Sequence, residues 1–153
     1  MLRNSLGFVL LNIENNEYYD NIFTQIHELI KNNPLTNIVV FNSNCDKLAT
    51  YNVPILHINH AKFFGGDLWL FDMIGLIITK NFTNTKKKIL YCNDMPWIKN
   101  RNNTYAEWSN LYNKDIDVVT TNQYLYDIYS MCWSKPLDIM ENFNHEKIQH
   151  ILQ

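Results

Sequence analysis

GFVLLNI (7–13) and NEYYDNIFTQIHELIKNN (16–33) are the two consecutive segments that decide the predicted fold. The first is a continuous apolar run with β-branched and aromatic residues, which is typical of a strand buried on both faces. The second has apolar residues at spacings of three and four, acidic residues early and Lys31 late, and it stops before Pro34. Together they predict a strand that leads into an amphipathic helix.

The same alternation continues along the rest of the chain. Further strands are predicted at 37–43, 53–59, 86–94, 115–122 and 135–143, the last of them at a sheet edge. Further helices are predicted at 67–80, 104–113, 123–133 and 145–153, with a loop at 95–103. The third of the five predicted helices has Thr104 as its N-cap and Glu107 completing a capping box. Six strands that alternate with helices predict a single Rossmann-like α/β domain over residues 1–153, an open, mostly parallel six-stranded sheet with helices on both faces.

Composition sets limits on the class of protein. The 153 residues are 46% hydrophobic and 14% aromatic with a net charge of −2, so neither disorder nor a general attraction to nucleic acid is expected. The apolar run at 68–78 is too short to cross a membrane, and no secretory signal is evident. Cys45, Cys92 and Cys132 are odd in number and form no CxxC motif, so they are predicted to be reduced structural thiols. We expect a soluble cytoplasmic protein, and the many residues with AT-rich codons favour a bacterium or a bacteriophage as its source.

Several α/β functions lack their motifs. The segment after the first strand, NIENNEYYD (12–20), contains neither GxGxxG nor GxxxxGK[ST], which argues against a dinucleotide site and a P-loop NTPase. The Ser/Thr and Gly phosphate loop of flavodoxins is absent from it as well. Glu14 alone does not supply the acid cluster of a receiver domain, and the chain has no GxSxG elbow. No cofactor is therefore expected.

Ligands of open parallel sheets bind at the loops that leave the carboxyl ends of the strands. In this chain those loops are rich in Asn, Asp and His, whose short side chains both donate and accept hydrogen bonds. They are predicted at 12–15, 42–45, 59–67, 93–97, 121–122 and 141–144.

The histidine pair in HINHAKFFGGDLW (57–69) does not predict a metal site. In a strand, an offset of three points His57 and His60 to opposite faces, and no nearby third ligand completes a set. His57 alternates with apolar neighbours and is predicted to belong to the core. His60 lies nearer the end of the strand and is the better candidate for contact with a ligand.

Two compatible interpretations fit the glycine pair that follows. Gly65 and Gly66 can form a tight turn with positive φ, with Asp67 capping the helix predicted at 67–80. They can also let the backbone approach a ligand, with helix-terminal N–H groups offered to an anion or a sugar hydroxyl. The helix is apolar almost all round, which indicates burial in the core or in an oligomer contact, and Asp72 within it is interpreted as structural.

Asn93-Asp94-Met95-Pro96-Trp97 also allows two interpretations. At the carboxyl end of a strand, the Asp94 carboxylate can accept hydrogen bonds from sugar hydroxyls while the Trp97 indole stacks on an apolar sugar face. Alternatively, the segment is an Asx-turn before Pro96 and Trp97 packs in the core.

Three segments resemble the N-terminal Rossmann-like half of GT-B glycosyltransferases of the phage and bacterial type. YCNDMPW (91–97) is similar to a strand-loop with a His-Asp pair and Pro-Trp, with Asn93 in place of the histidine. DIDVVTTNQYLYDIY (115–129) resembles a segment near the end of that half. KPLDIMENFNHEKI (135–148) resembles the strand-loop after it, with Glu141-Asn142-Phe143-Asn144 in place of an Asn-Gly pair.

The resemblance implies that this chain binds the acceptor of a sugar transfer. Asp94 would be the base that deprotonates the acceptor hydroxyl and His60 the second candidate, while Asn122 and Glu141 would line the cleft. The further residues predicted to bind are Gly65, Gly66, Asp67, Asn93, Trp97 and Asn142.

In such enzymes a second domain binds the nucleotide-sugar donor, and this sequence lacks it. Either a partner chain provides that domain, or the sequence is a fragment of a longer protein, or the fold has been kept for another use. We expect transfer only with a donor-binding partner chain or the missing second domain, and a homo-oligomer is a further expected partner. The alternative is a stand-alone Rossmann-like domain that binds a small polar ligand or a protein and catalyses nothing.

Overall fold

The computed structural model of the chain describes residues 5–11, 13, 17–45, 51–99, 102–112 and 115–152. These residues contain seven strands: β1 (Leu6–Val9), β2 (Ile38–Asn42), β3 (Ile55–His57), β4 (Asp67–Leu70), β5 (Lys88–Cys92), β6 (Ile116–Thr120) and β7 (Asp138–Ile139). Their α-helices are α1 (Glu17–Asn32), α2 (Met73–Thr79), α3 (Pro96–Lys99), α4 (Tyr105–Tyr112), α5 (Gln123–Cys132) and α6 (His145–Ile151). A 3-10 helix, Ile58–Phe63, lies between β3 and β4.

The seven described strands form one open sheet in the order β3-β2-β1-β4-β5-β6-β7, and every neighbouring pair is parallel. The chain runs outward from β1 to β3, returns to the other side of β1 with β4, and continues to β7. This order makes the domain Rossmann-like and confirms the predicted α/β class and parallel sheet. The last predicted strand is present as β7 at the edge of the sheet.

Helices pack on both faces of the sheet, as predicted. On one face α1 and α6 cover side chains such as Phe8, while on the other the 3-10 helix, α2, α4 and α5 cover side chains such as Val9. The strands β1, β2 and β4 are buried at every position, and their sequences are apolar except for Asn42 at the end of β2 and Asp67 at the start of β4.

Residues 67–80 form a strand and a short helix, so the prediction of one helix is wrong. Asp67–Leu70 is the buried strand β4, and α2 begins at Met73. The N-cap is Asp72 and not Asp67, since Asp72 Oδ1 accepts a hydrogen bond of 2.6 Å from Gly75 N. A strand buried on both faces has the same apolar run as a buried helix, and this strand is the one missing from the predicted six. Three isoleucines of α2 are 41–48% exposed, so the helix is not buried on all sides within this chain.

The glycine pair precedes a strand and therefore lies at the amino ends of the strands, opposite the end predicted for ligand binding. Asp67 N donates a 2.9 Å hydrogen bond to Ser5 O, which ties the start of β4 to the start of β1. A Cβ on Gly66 would lie 2.1 Å from that same Ser5 oxygen. Gly66 is needed because two backbones approach closely, and neither glycine has the positive φ that was predicted.

Two other local predictions are wrong and several are confirmed. His57 is exposed, because β3 lies at the edge of the sheet, and its Nδ1 accepts a 3.2 Å hydrogen bond from Asn59 N. The predicted loop at 95–103 contains α3. The helices predicted after β1, β5, β6 and β7 are present as α1, α4, α5 and α6. The capping box of α4 is also present: Thr104 N donates to Glu107 Oε2 at 2.6 Å, and Glu107 N donates to Thr104 Oγ1 at 3.3 Å.

Candidate functional site

A cleft of about 620 Å³ opens between the first turns of α1 and the carboxyl ends of β5, β6 and β7. Its walls come from four parts of the chain, and most of the lining side chains are polar. The lining residues are Glu17, Tyr18, Asn21, Tyr91, Asn93, Thr121, Glu141, Asn142 and Phe143.

Strand register brings these residues together. In the parallel pairing Cys92 is opposite Thr120, and Thr120 is opposite Ile139, so the three strands end side by side. Thr121 N then donates to Cys92 O at 3.2 Å, and Met140 N donates to Thr120 O at 2.7 Å. The polar residues that follow each strand consequently face the same space, as the rule for carboxyl ends predicts.

Two tyrosines of the cleft differ in their hydrogen bonding. Tyr91 Oη donates to Met140 O at 3.0 Å, and burial raises the pKa of Tyr91 to about 12. The Tyr18 hydroxyl is also buried, which raises its pKa as well, but no hydrogen-bond partner lies within reach among the residues that the structure describes. Both hydroxyls keep their protons at neutral pH. The Tyr18 side chain lines the cleft, and its buried hydroxyl has no described partner.

A second cavity of about 330 Å³ adjoins the first, and Asn93 lines both. Its other lining residues are Asp94, Met95, Ile98, Asn122, Tyr124 and Leu125. The Tyr124 ring is 65% exposed, so this cavity has an accessible aromatic face beside a carboxylate. The two cavities form one candidate site, which we call the carboxyl-end cleft.

Asn122 has a structural role in addition to its place in the cleft. Its Oδ1 accepts a 2.9 Å hydrogen bond from Leu125 N and so caps α5. Its amide group donates to Thr121 Oγ1 at a distance of 3.5 Å, which is long for a hydrogen bond. A ligand at this position would therefore meet the amide nitrogen of Asn122, while its oxygen serves the helix.

Trp97 lies in an aromatic cluster and does not line either cavity. Its ring centroid is 4.7 Å from that of Trp133 and 5.4 Å from that of Tyr129. The packing interpretation of Trp97 thus matches the structure, and Tyr124 is the exposed aromatic residue that lines the smaller cavity.

The face of the sheet that carries this aromatic cluster has its polar groups linked to one another. Cys92 Sγ lies 2.8 Å from Tyr129 Oη, which donates to Tyr112 Oη at 3.1 Å, and that hydroxyl contacts Met73 Sδ at 3.3 Å. Burial raises the pKa of Cys92 to about 11, and it raises the pKa values of both tyrosines as well. The polar groups of this network are therefore paired with one another.

The remaining predicted residues lie elsewhere. His60 is in the 3-10 helix after β3, and β3 is four strand spacings from β5, or about 19 Å. Gly65, Gly66 and Asp67 are at the amino end of β4. Asn93, Asp94, Asn122, Glu141 and Asn142 are the five predicted residues that the structure brings together, and their chemical roles stay predictions.

Sequence reasoning missed the contribution of α1 to the cleft. Tyr18 and Asn21 are three positions apart and therefore share a face of the first turns of this helix. Because α1 follows β1, its first turns must lie at the carboxyl end of the sheet, where ligands bind. That connection was available from the sequence once the strand-helix order had been assigned.

The described residues contain no group of three or more His, Cys, Asp or Glu side chains placed to hold a metal ion. None of the helices in the described ranges has the length and apolar character needed to cross a bilayer. Comparisons with models of known protein families, with curated proteins and with solved structures found no match. The functional argument therefore depends on the fold and on the carboxyl-end cleft.

Proposed function

We propose that this domain binds a sugar in the carboxyl-end cleft, as the acceptor-binding half of a glycosyltransferase that works with a donor-binding partner. The observation that carries the proposal is the lining of the cleft. Carboxylates, amides and hydroxyls from α1, β5, β6 and β7 surround a space of about 620 Å³, and the Tyr18 hydroxyl there has no partner among the described residues.

The chemistry of these groups matches that of a polyol. A sugar hydroxyl donates one hydrogen bond and accepts others, so it needs both kinds of partner at short range. The Glu141 carboxylate accepts, the Asn93 and Asn142 amides do both, and the Tyr18 hydroxyl can do either. Tyr124 offers an exposed ring beside Asp94, on which an apolar sugar face could stack.

Asp94 is the residue that we assign as the base. It lines the smaller cavity beside Asn93, so a ligand that extends from the larger cavity across Asn93 would reach its carboxylate. In the transfer step the acceptor oxygen bonds to the anomeric carbon of the donor sugar as the bond from that carbon to the nucleoside diphosphate breaks. Asp94 takes the hydroxyl proton.

Binding is tested first, with the protein alone. Neutral monosaccharides and disaccharides are titrated and followed by saturation-transfer NMR and calorimetry. Glu141→Gln should weaken the binding of a sugar about ten-fold or more, since it weakens a charge-assisted hydrogen bond. Glu28→Gln is the matched control, because Glu28 lies on α1 outside the cleft with its carboxylate 3.9 Å from Lys31, and it should leave binding unchanged.

Tyr18→Phe separates binding from folding. The change removes a buried hydroxyl that has no partner in the described part of the chain, so the melting temperature should be unchanged or slightly higher. Sugar binding should weaken about five-fold, the effect of one neutral hydrogen bond. Absence of binding for every sugar tested, or equal binding by wild type, E141Q and Y18F, would contradict the proposed site.

The alternative of a non-catalytic binding domain predicts the same binding but no transfer. Extracts that contain the wild-type protein are supplied with radiolabelled UDP-glucose, UDP-N-acetylglucosamine or GDP-mannose and an acceptor sugar that binds. Asp94→Asn should keep acceptor affinity and lower transfer at least 100-fold, while His60→Ala should change neither. Sugar binding without wild-type transfer in any combination would favour the alternative.

A further inference from the structure

The charges of the larger cavity restrict what it can bind. Glu17 and Glu141 are carboxylates, and the described residues that line this cavity include no Lys, Arg or His. The sequence between β1 and α1 includes NIENN (12–16), which contains one acid and no base.

Three described sources of positive charge near the larger cavity already have partners. Lys147 Nζ donates to Ile139 O at 2.5 Å and lies 3.7 Å from Asp138 Oδ2, in a groove along β7 that shares Glu141 and Asn142 with the larger cavity. The amino terminus of α1 has its partial positive charge opposed by Glu17 and Asp20 in the first turn. In α6 the amide oxygen of Asn144 caps the first N–H groups.

We infer that the larger cavity takes an unphosphorylated sugar and rejects its phosphate ester. This inference rests on the proposed function and names the class of ligand for the same site. A phosphate group placed among two carboxylates would meet repulsion, with no described guanidinium or ammonium group in the lining to compensate. Hydroxyl groups, in contrast, find both acceptors and donors there.

The test compares matched probes on the wild-type protein. Glucose is paired with glucose 6-phosphate, and N-acetylglucosamine with its 6-phosphate, by calorimetry at low and physiological salt. At least one neutral sugar should bind ten-fold or more tightly than its ester. The ratio should shrink at higher salt, because screening weakens the repulsion.

Glu141→Gln should also reduce the ratio of sugar affinity to ester affinity several-fold, and the Glu28→Gln control should leave that ratio as in wild type. The inference would be overturned if a phosphate ester bound as tightly as its parent sugar, or more tightly, and if Tyr18→Phe abolished that binding, which would locate it in this cleft. The proposed sugar site would not be contradicted by that result. Binding of neither probe in any pair, nor of any other sugar, would overturn both the inference and the proposed function.

Discussion

The amino and carboxyl ends of the sheet differ in how closely their groups pack and in whether their polar groups have hydrogen-bond partners. At the amino end, Gly66 lies so close to Ser5 that a single Cβ would collide with the Ser5 carbonyl oxygen. At the carboxyl end, β5, β6 and β7 stop beside one another and leave a cleft bordered by polar side chains. Both ends contain residues that the sequence assigns to one site, and five of those residues border the cleft at the carboxyl end.

Hydrogen bonding shows the same contrast. At the amino end, Asp67 N donates to Ser5 O at 2.9 Å and Lys86 N donates to Gly66 O at 3.0 Å, so the backbone groups there serve one another. At the carboxyl end, the Tyr18 hydroxyl has no partner among the described residues. A glycine that permits close backbone packing is therefore a different signal from a buried polar group without a described partner.

The largest expected effect is a loss of stability from a substitution at the amino end of the sheet. Gly66→Ala should lower the free energy of unfolding by about 3 kcal/mol or more, because the new Cβ meets backbone atoms that cannot rotate away. Urea denaturation measures the change. The adjacent Gly65→Ala is the matched control, since a Cβ there meets nothing within 4 Å, and its effect should stay within about 0.5 kcal/mol.

Equal effects of the two alanine substitutions would contradict the close approach of Gly66 to Ser5. The contrast with the carboxyl end would be sharpened if Gly65→Ala keeps the sugar affinity of the wild type. A loss of affinity in that stable variant would return the glycine turn to the list of binding elements.

A smaller effect concerns Cys92, the last residue of β5, which points away from the cleft into the closed aromatic cluster. Burial raises the pKa of the Cys92 thiol from its ordinary value of 9.0 to about 11 in the folded chain. The stability associated with the buried thiol is thus complete below pH 9 and is lost as the pH rises to 11. Between pH 8 and pH 10 the loss should be about 1.4 kcal/mol.

Urea denaturation at these two pH values, compared between wild type and Cys92→Ala, isolates the contribution of this thiol. The variant should be less stable at pH 8 but should lose less stability on going to pH 10. Cys132→Ala leaves Cys92 in place and should follow the wild-type slope. If Cys92→Ala keeps that slope as well, the thiol is not held in its protonated form by the cluster.

Local patterns predicted most of the fold because they depend on few residues. The apolar run at 7–13 and the spacing in 16–33 are sufficient to identify β1 and α1, and the Thr104–Glu107 box marks the start of α4. The connectivity of a parallel sheet then places Asn93 and Glu141 at the same end, since every strand points the same way. Five predicted site residues reach the carboxyl-end cleft for that reason.

The errors arise where the outcome depends on distant neighbours. An apolar run such as 68–78 fits a central strand or a buried helix equally well, and only pairing with β1 and β5 decides between them. His57 has apolar neighbours, yet β3 lies at the sheet edge and the residue is exposed. The exposure of a residue and the cavity that it faces follow from strand order, which the local sequence does not encode.

The smallest expected effect tests the corrected boundary of β4 and α2. Asp72 follows β4 at the carboxyl end of the sheet and is the N-cap of α2. Asp67 is the first residue of β4 and lies at the amino end. Asp72→Ala should lower the free energy of unfolding by about 1 kcal/mol, because Gly75 N loses its acceptor. Asp72→Asn keeps a capping oxygen and should stay within about 0.5 kcal/mol of wild type. Equal losses in both variants would mean that the charge of Asp72, and not its cap, stabilises this end. No loss in either would contradict the assignment of Asp72 as the N-cap of α2.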